Sequence, residues 1–213
     1  MLNIPCLPDL DQQPLTGDTL ATLRSRGLTI NIDCVNWPDQ YPARPRCVVH
    51  AAHTGKSLLL DFEVEGQSLR TTHLTDGSKV CEDSCVEFFV EPTGRLPYYN
   101  LEFNAIGTMH GAYRSERTAS TRLTPSQMST VKRYPSLPRQ PFDSSENYHW
   151  NLAIDIPFSL LSIDYQGQPI AMRGNFYSCG DLTATPHYLS HSPIHTPTPD
   201  FHRPDTFTPI TLL

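Results

Sequence analysis

The chain has 213 residues, enough to bury a full hydrophobic core, and all-β sandwiches of this length are commonly one domain. With 22 acidic and 16 basic residues, a formal net charge of -6 and no basic run to neutralise phosphates, the composition argues against nucleic acid as a partner. No apolar stretch is long enough to span a bilayer, so no membrane insertion is expected; MLNIPCLPDLDQQP at the start lacks a basic n-region and an apolar h-region, so the expected location is cytoplasmic.

Residues 18–27, DTLATLRSRG, predict a short helix with Asp18 as N-cap, Gly27 as left-handed stop, and Leu20 and Leu23 packed inward. LTINIDCVNW then alternates Leu28, Ile30 and Ile32 against polar neighbours before a proline-bounded loop that carries Trp37 and Tyr41. CVVHAA (47–52) and KSLLLDFEVEG (56–66) predict two strands joined by a turn at His53, Thr54 and Gly55. SLRTTH (68–73) predicts one more short strand, with Arg70 facing away from Leu69 and Thr71, and Asp76-Gly77 is a turn signal.

The strongest pattern runs from Val80 to Gly107. Val86, Phe88 and Val90 alternate with Glu87, Phe89 and Glu91, and after a turn containing Pro92, Gly94 and Pro97, Tyr99, Leu101, Phe103 and Ala105 alternate with Tyr98, Asn100, Glu102 and Asn104. One face of this hairpin is core and the other is a panel of carboxylates, amides and aromatic rings. Closure symmetric about the loop sets Glu91 against Tyr98, Phe89 against Asn100 and Glu87 against Glu102, which requires a cation, an arginine or a shared proton between the glutamates. A slip of two residues sets Glu87 against Asn100 or Asn104, and both registers stay open in the sequence.

After Gly107 hydrophobic periodicity lapses for about forty residues, a length that marks a functional loop or a poorly ordered one, with Met128 to Tyr134 as a possible edge strand carrying Lys132 and Arg133. YHWNLAIDIP resumes the alternation with Trp150, Leu152 and Ile154 inward, Pro157 is placed to open a short helix PFSLL, and residues 170–180 form a last core strand. From Pro186 to Pro209 the tail holds six prolines and four histidines, which predicts an extended segment docked on the body. His187, His191 and His195 have fourfold spacing, but Pro193 breaks the helix that would align them as metal ligands.

The six cysteines default to reduced thiols, and Cys81 and Cys85 match neither a C-x-x-C redox motif nor a zinc ribbon. Eight to ten short antiparallel strands with one or two short helices predict an all-β, antiparallel sandwich, jelly-roll-like, as one domain over residues 1–213 with a lead at 1–27 and a docking tail at 186–213.

EDSCVEFFVEP, YYNLEFNAIGT, IDIPFSLL, RGNFYSCGD, PHYLSHSPI and PDFHRPDTF, in this order and spacing, resemble the family 9 carbohydrate-binding modules, and more closely their single-domain relatives from gut Bacteroidetes, from about Ile30 onward. The resemblance implies a β-sandwich that binds a sugar, often a chain end, in a slot between aromatic side chains, as an accessory to glycan degradation, with structural calcium ions. Glu87 matches the family's acidic residue on the binding strand, and Asn100 and Asn104 lie where the neighbouring strand adds polar contacts. Relatives carry Trp in the segment that here reads LSHSPI, so His191 stands where an aromatic platform is expected.

The candidate carbohydrate site therefore comprises Glu87, Asn100, Glu102 and Asn104 for hydroxyl groups and Phe89, Tyr98, Tyr113 and Trp37 for the apolar face of a pyranose. Trp37 equally fits as an edge closure, and Phe89 and Tyr98 equally fit as rings buried beneath a loop such as 108–147. Arg70 is either a ligand contact or an ion-pair partner of Glu87 or Glu102, and Asp83 in the acidic turn is the candidate calcium ligand. Two other readings compete: a glycosidase using Glu87 and Glu102 as paired carboxylates, about 5 to 10 Å apart, and a protein-binding sandwich whose sugar site has decayed.

Overall fold

The computed structural model describes residues 1–66, 68–93, 97–116 and 118–213, so Gly94 of the expected turn lies outside the described residues. In chain order, β1 (Leu2–Ile4), α1 (Gly17–Arg26), β2 (Leu28–Asn31), β3 (Cys34–Val35), β4 (Arg46–His53) and β5 (Ser57–Gly66) come first. β6 (Leu69–Thr71), β7 (Cys85–Glu91), β8 (Tyr98–Asn104), β9 (Met109–Arg114), β10 (Ser120–Arg122) and α2 (Pro125–Ser129) follow. β11 (Lys132–Pro135), β12 (Phe142–Ser144), β13 (Tyr148–Pro157), β14 (Ile170–Cys179), β15 (Tyr188–Ser190) and β16 (Thr208–Leu212) come last.

Alternating side chains sort these strands into the all-β sandwich expected from their periodicity. Among the described residues one sheet runs β1-β16-β14-β7-β8-β9-β10, with β15 attached beside β14 and β3 beside β15, a second runs β11-β13-β5-β4-β2, and β12 pairs with β6 in a small two-stranded sheet. Phe88 stacks on Phe176 at 4.6 Å between centroids, and Phe62 of the facing sheet meets Phe176 at 6.4 Å, so these rings bridge the two sheets. Val86, Val90, Leu101 and Phe103 join them in the core, facing Leu58, Leu60, Leu152 and Ile154. Each such side chain, fully withdrawn from water, contributes about 1.5–3 kcal/mol.

The outer faces are covered as well. On the five-stranded sheet α1 lays Leu23 over Leu59, Ala52 and Ala153. On the larger sheet the chain after β15 covers Phe89, Tyr98 and Tyr177 with Ile194, Phe201 and Phe207, and Trp37 seals the edge. The tail, rather than the 108–147 loop, is thus the cover over Phe89 and Tyr98.

Several local expectations are corrected. α1 is capped from Thr16, without a side-chain cap bond, and Asp18 sits inside its first turn. Gly27 is extended, at φ -72° and ψ 165°, and glycine is required there for space: a Cβ would lie 2.5 Å from the Leu23 carbonyl and 3.0 Å from that of Ala51. PFSLL does not form a helix; β13 runs through Pro157, and the chain then turns, with Ser162 at φ 55°. Phe158, Leu160 and Leu161 are buried in the core, so packing sets this segment's path. Met128 belongs to α2, which a Thr124–Gln127 capping box opens, and only the residues from Lys132 onward form the edge strand, paired with β13.

Candidate functional site

The β7–β8 hairpin adopts the symmetric register, with Phe89 opposite Asn100 and Glu87 opposite Glu102. Tyr177 on β14 is the other neighbour of Glu87, and His110 on β9 is the other neighbour of Glu102. A row Tyr177, Glu87, Glu102, His110 therefore crosses four strands on the outer face.

Glu87 and Glu102 are 3 % and 8 % exposed. Burial, followed by the negative charge of Glu102, pushes the Glu87 carboxyl well above the usual carboxylate range. Burial also raises Glu102, but the charges of His110 and Arg114 and a hydrogen bond from Asn100 oppose the rise. Two raised carboxyls directly opposed across a strand pair favour one proton shared between them over two adjacent charges. Glu87 Oε1 accepts from the Cys179 thiol at 3.2 Å, and the Cys85 sulfur lies 3.9 Å from the same oxygen. Burial pushes the Cys85 thiol up to about 12.

Over these carboxylates is a cavity of about 280 Å³, lined also by Cys81, Phe89, Cys179, Asp181, Tyr188, Pro199, Asp200, Phe201 and His202. A second cavity, of about 370 Å³, shares Cys81, Glu102 and Asp181 with it and adds Lys79, Glu82, His110 and Arg122, so the two adjoin and are together called the slot. Burial raises the Asp181 carboxyl, and the neighbouring Tyr188 and Cys81 side chains oppose the rise. The aromatic wall is braced from behind: Phe201 stacks on Tyr177 at 4.3 Å, and Tyr41 and Trp37 meet Tyr188 edge-on at 4.7 and 6.2 Å.

The structure brings Glu87, Glu102 and Phe89 to the slot and gives the other expected residues different work. Asn100 is fully buried, donating to Glu102 Oε1 at 2.9 Å while accepting from Arg114 Nε at 2.9 Å; it positions the carboxylate from beneath. Asn104 donates to the His73 carbonyl and to Asp83 and accepts from the Thr108 amide, which fixes the turn after β8. Tyr98 is a buried support, its hydroxyl 3.0 Å from His202 Nδ1. Arg70 pairs with Asp143 at 3.2 Å and lies 3.6 Å from Asp83, so its partners are these carboxylates and not the panel glutamates.

Asp83 does not fit a calcium ion. Its carboxylate, 0 % exposed, accepts from the Thr72 amide and hydroxyl, the His73 amide and the Asn104 amide group, which occupy the lone pairs that a cation would need. Tyr113 packs edge-on against Tyr99 at 5.0 Å, on the hairpin face opposite Glu102, and Trp37 donates its indole N–H to the Thr196 carbonyl at 2.7 Å as an edge closure. His191 Nδ1 contacts the Asn31 carbonyl at the sheet edge, and the rings of the slot come instead from Tyr188, Phe201 and His202. Two of the quoted motifs, RGNFYSCGD and PDFHRPDTF, contain Asp181, Asp200, Phe201 and His202, but no periodicity indicates where their side chains point.

A larger cavity, of about 460 Å³, lies elsewhere, lined by Arg44, Arg46, Glu65, Tyr148, Trp150 and His187 among others. Its histidine is engaged with the Thr185 carbonyl at 3.2 Å and approaches Ser178 at 3.5 Å, and Trp150 belongs to the sandwich core. The outer slot, where buried carboxylates crowd one another beneath aromatic rings, is the better candidate for ligand chemistry.

A β-sandwich with a polar and aromatic slot on the outer face of one sheet is the architecture of a small-ligand-binding module. The chain belongs to carbohydrate-binding family 9, whose sequence model matches residues 21–212. A candidate carbohydrate-binding protein from Bacteroides uniformis is 33 % identical over 99 % of this chain and 96 % of its own, with a TM-score of 0.88. Two structures of a family 9 module from Caldicellulosiruptor kristjanssonii share the fold at much lower identity. The glucose complex is 11 % identical over 99 % of this chain and 95 % of its own, with a TM-score of 0.58. The cellotriose complex is 10 % identical over 98 % and 91 %, with a TM-score of 0.55. No curated protein matches the chain.

Proposed function

We propose that the chain binds carbohydrate, holding a mono- or oligosaccharide in the slot between Glu102, Asp181 and the rings of Tyr188 and Phe201. The observation that carries this reading is the convergence of two buried carboxylates, Glu87 and Glu102, and the partly buried Asp181 with those two rings around one cavity. Vicinal hydroxyls present donors and acceptors at fixed spacing, and carboxylates take them in pairs, while the C–H face of a pyranose packs on an aromatic ring. Asn100 holds one oxygen of Glu102, and the other is assigned to a sugar hydroxyl. Family membership supports the reading, as do the glucose and cellotriose bound by the Caldicellulosiruptor modules.

The test is a glycan array of plant and host oligosaccharides, glucose and cellotriose included, with a chromogenic glycoside panel beside it. Selective binding without turnover is the expected result. No binding to any glycan overturns the proposal, and turnover replaces it with a hydrolase in which Glu87 and Glu102 are the paired carboxylates.

A further inference from the structure

We infer that Cys85, Cys179 and Glu87 form a binding site for a thiophilic divalent cation of the zinc type at the base of the slot. This inference does not rest on the carbohydrate reading.

Cys85 and Cys179 are directly opposed on the neighbouring strands β7 and β14, and Glu87 lies two residues along β7, on the same face. One ligand atom from each lies within 4.8 Å of the other two. The sulfur-to-oxygen separations to Glu87 are 3.2 Å from Cys179 and 3.9 Å from Cys85. Zinc bonds of about 2.3 Å to sulfur and about 2.0–2.2 Å to oxygen, at tetrahedral angles, hold ligand atoms about 3.5–3.8 Å apart. The three donors therefore stand close to the spacing of three corners of a zinc tetrahedron, and small side-chain shifts complete it.

All three residues are buried on paired strands, which fixes their backbones in place. Two thiols and one carboxyl select a borderline-soft cation and exclude calcium and magnesium, which require an oxygen shell. Glu102 and Asp181 add negative charge beside Glu87, which favours a cation. The cavity that Glu87 and Cys179 line also reaches Cys81, which gives a route of entry and leaves the fourth corner to a water. The cysteine spacing in sequence hides the site because Cys85 and Cys179 meet only through the pairing of β7 with β14.

The test uses the full chain, purified under a phosphine reductant with chelator and then dialysed free of chelator. On titration with cobalt(II) the expected result is one equivalent bound, with tetrahedral ligand-field bands and sulfur-to-cobalt charge transfer, displaced by zinc. Cys179→Ser is expected to lose at least 100-fold in zinc affinity, whereas Cys34→Ser, outside the cluster, retains it; circular dichroism checks that both variants fold. If Cys179→Ser does not fold, zinc-edge X-ray absorption of the wild-type protein decides, with at least two sulfurs and an oxygen in the first shell expected. Absence of stoichiometric binding, cobalt spectra without sulfur charge transfer, a sulfur-free zinc shell, or unchanged affinity in a folded Cys179→Ser would each overturn the site.

Discussion

Two buried groups of carboxylates lie close together along the chain and behave oppositely. Asp83 is enclosed by donors, receiving four hydrogen bonds from Thr72, His73 and Asn104, with the Arg70 guanidinium 3.6 Å away. Glu87 and Glu102, four and nineteen residues further on, meet each other across a strand pair, and among the described residues the partners of Glu87 Oε1 are the thiols of Cys179 and Cys85. A carboxylate saturated by its own protein ties loops together and has nothing left for a ligand. A pair that repels itself beneath a cavity retains unmet affinity for a proton, a hydroxyl or a cation. Burial alone does not distinguish the two groups, but the count of donors does.

Substitution of the saturated carboxylate gives the largest expected effect. Asp83→Ala strands the donors of Thr72, His73 and Asn104, and urea denaturation is expected to show a loss of about 3–5 kcal/mol; a loss below about 1 kcal/mol would remove the contrast between the two groups.

The next effect comes from the buried imidazole of His187, which burial lowers to about 4. Its folded value lies below the ordinary unfolded value of about 6.5. The unfolded chain therefore binds the proton more readily, and this contribution is complete above about pH 6.5 and is lost as pH falls towards 4, amounting to about 3 kcal/mol. Denaturation at neutral and acid pH is expected to show a smaller acid loss in His187→Asn than in the wild type, and equal losses would mean that His187 titrates normally in the fold.

Within the slot, Glu102→Gln keeps the shape but removes the charge. Sugar affinity is expected to fall about 10- to 100-fold, as for loss of a charge-assisted hydrogen bond, with the melting midpoint nearly unchanged. Calorimetric titration beside a melting curve checks both, and an unfolded variant would move Glu102 into the class of Asp83. Phe201→Leu is the mildest change: it keeps the apolar volume over Tyr177 and loses the stacked ring, and sugar affinity is expected to fall severalfold with about 1 kcal/mol of stability.

The hairpin was legible in the sequence because alternation is a local signal: Val86, Phe88 and Val90 face the core and Glu87 and Phe89 face away, as their period requires. Its register was not legible, since the symmetric pairing that the structure adopts carries the like-charge conflict a sequence reader would avoid. The saturation of Asp83 is hidden in the sequence because two of its donors are the backbone amides of Thr72 and His73, which no side-chain pattern reveals. Phe201 and His202 were missed as slot residues for a related reason. They sit in an aperiodic, proline-rich segment whose path is set by docking onto Phe89 and Tyr177, a contact far away in sequence.

The most direct test of the outer slot as the ligand site is amide hydrogen exchange with the best array glycan bound and free. Protection concentrated at residues 181–188 and 200–202, with His110 and its neighbours on β9, is the expected result. Protection confined to residues 43–46 and 147–150, around the larger cavity, would contradict it and transfer ligand binding to that end of the sandwich.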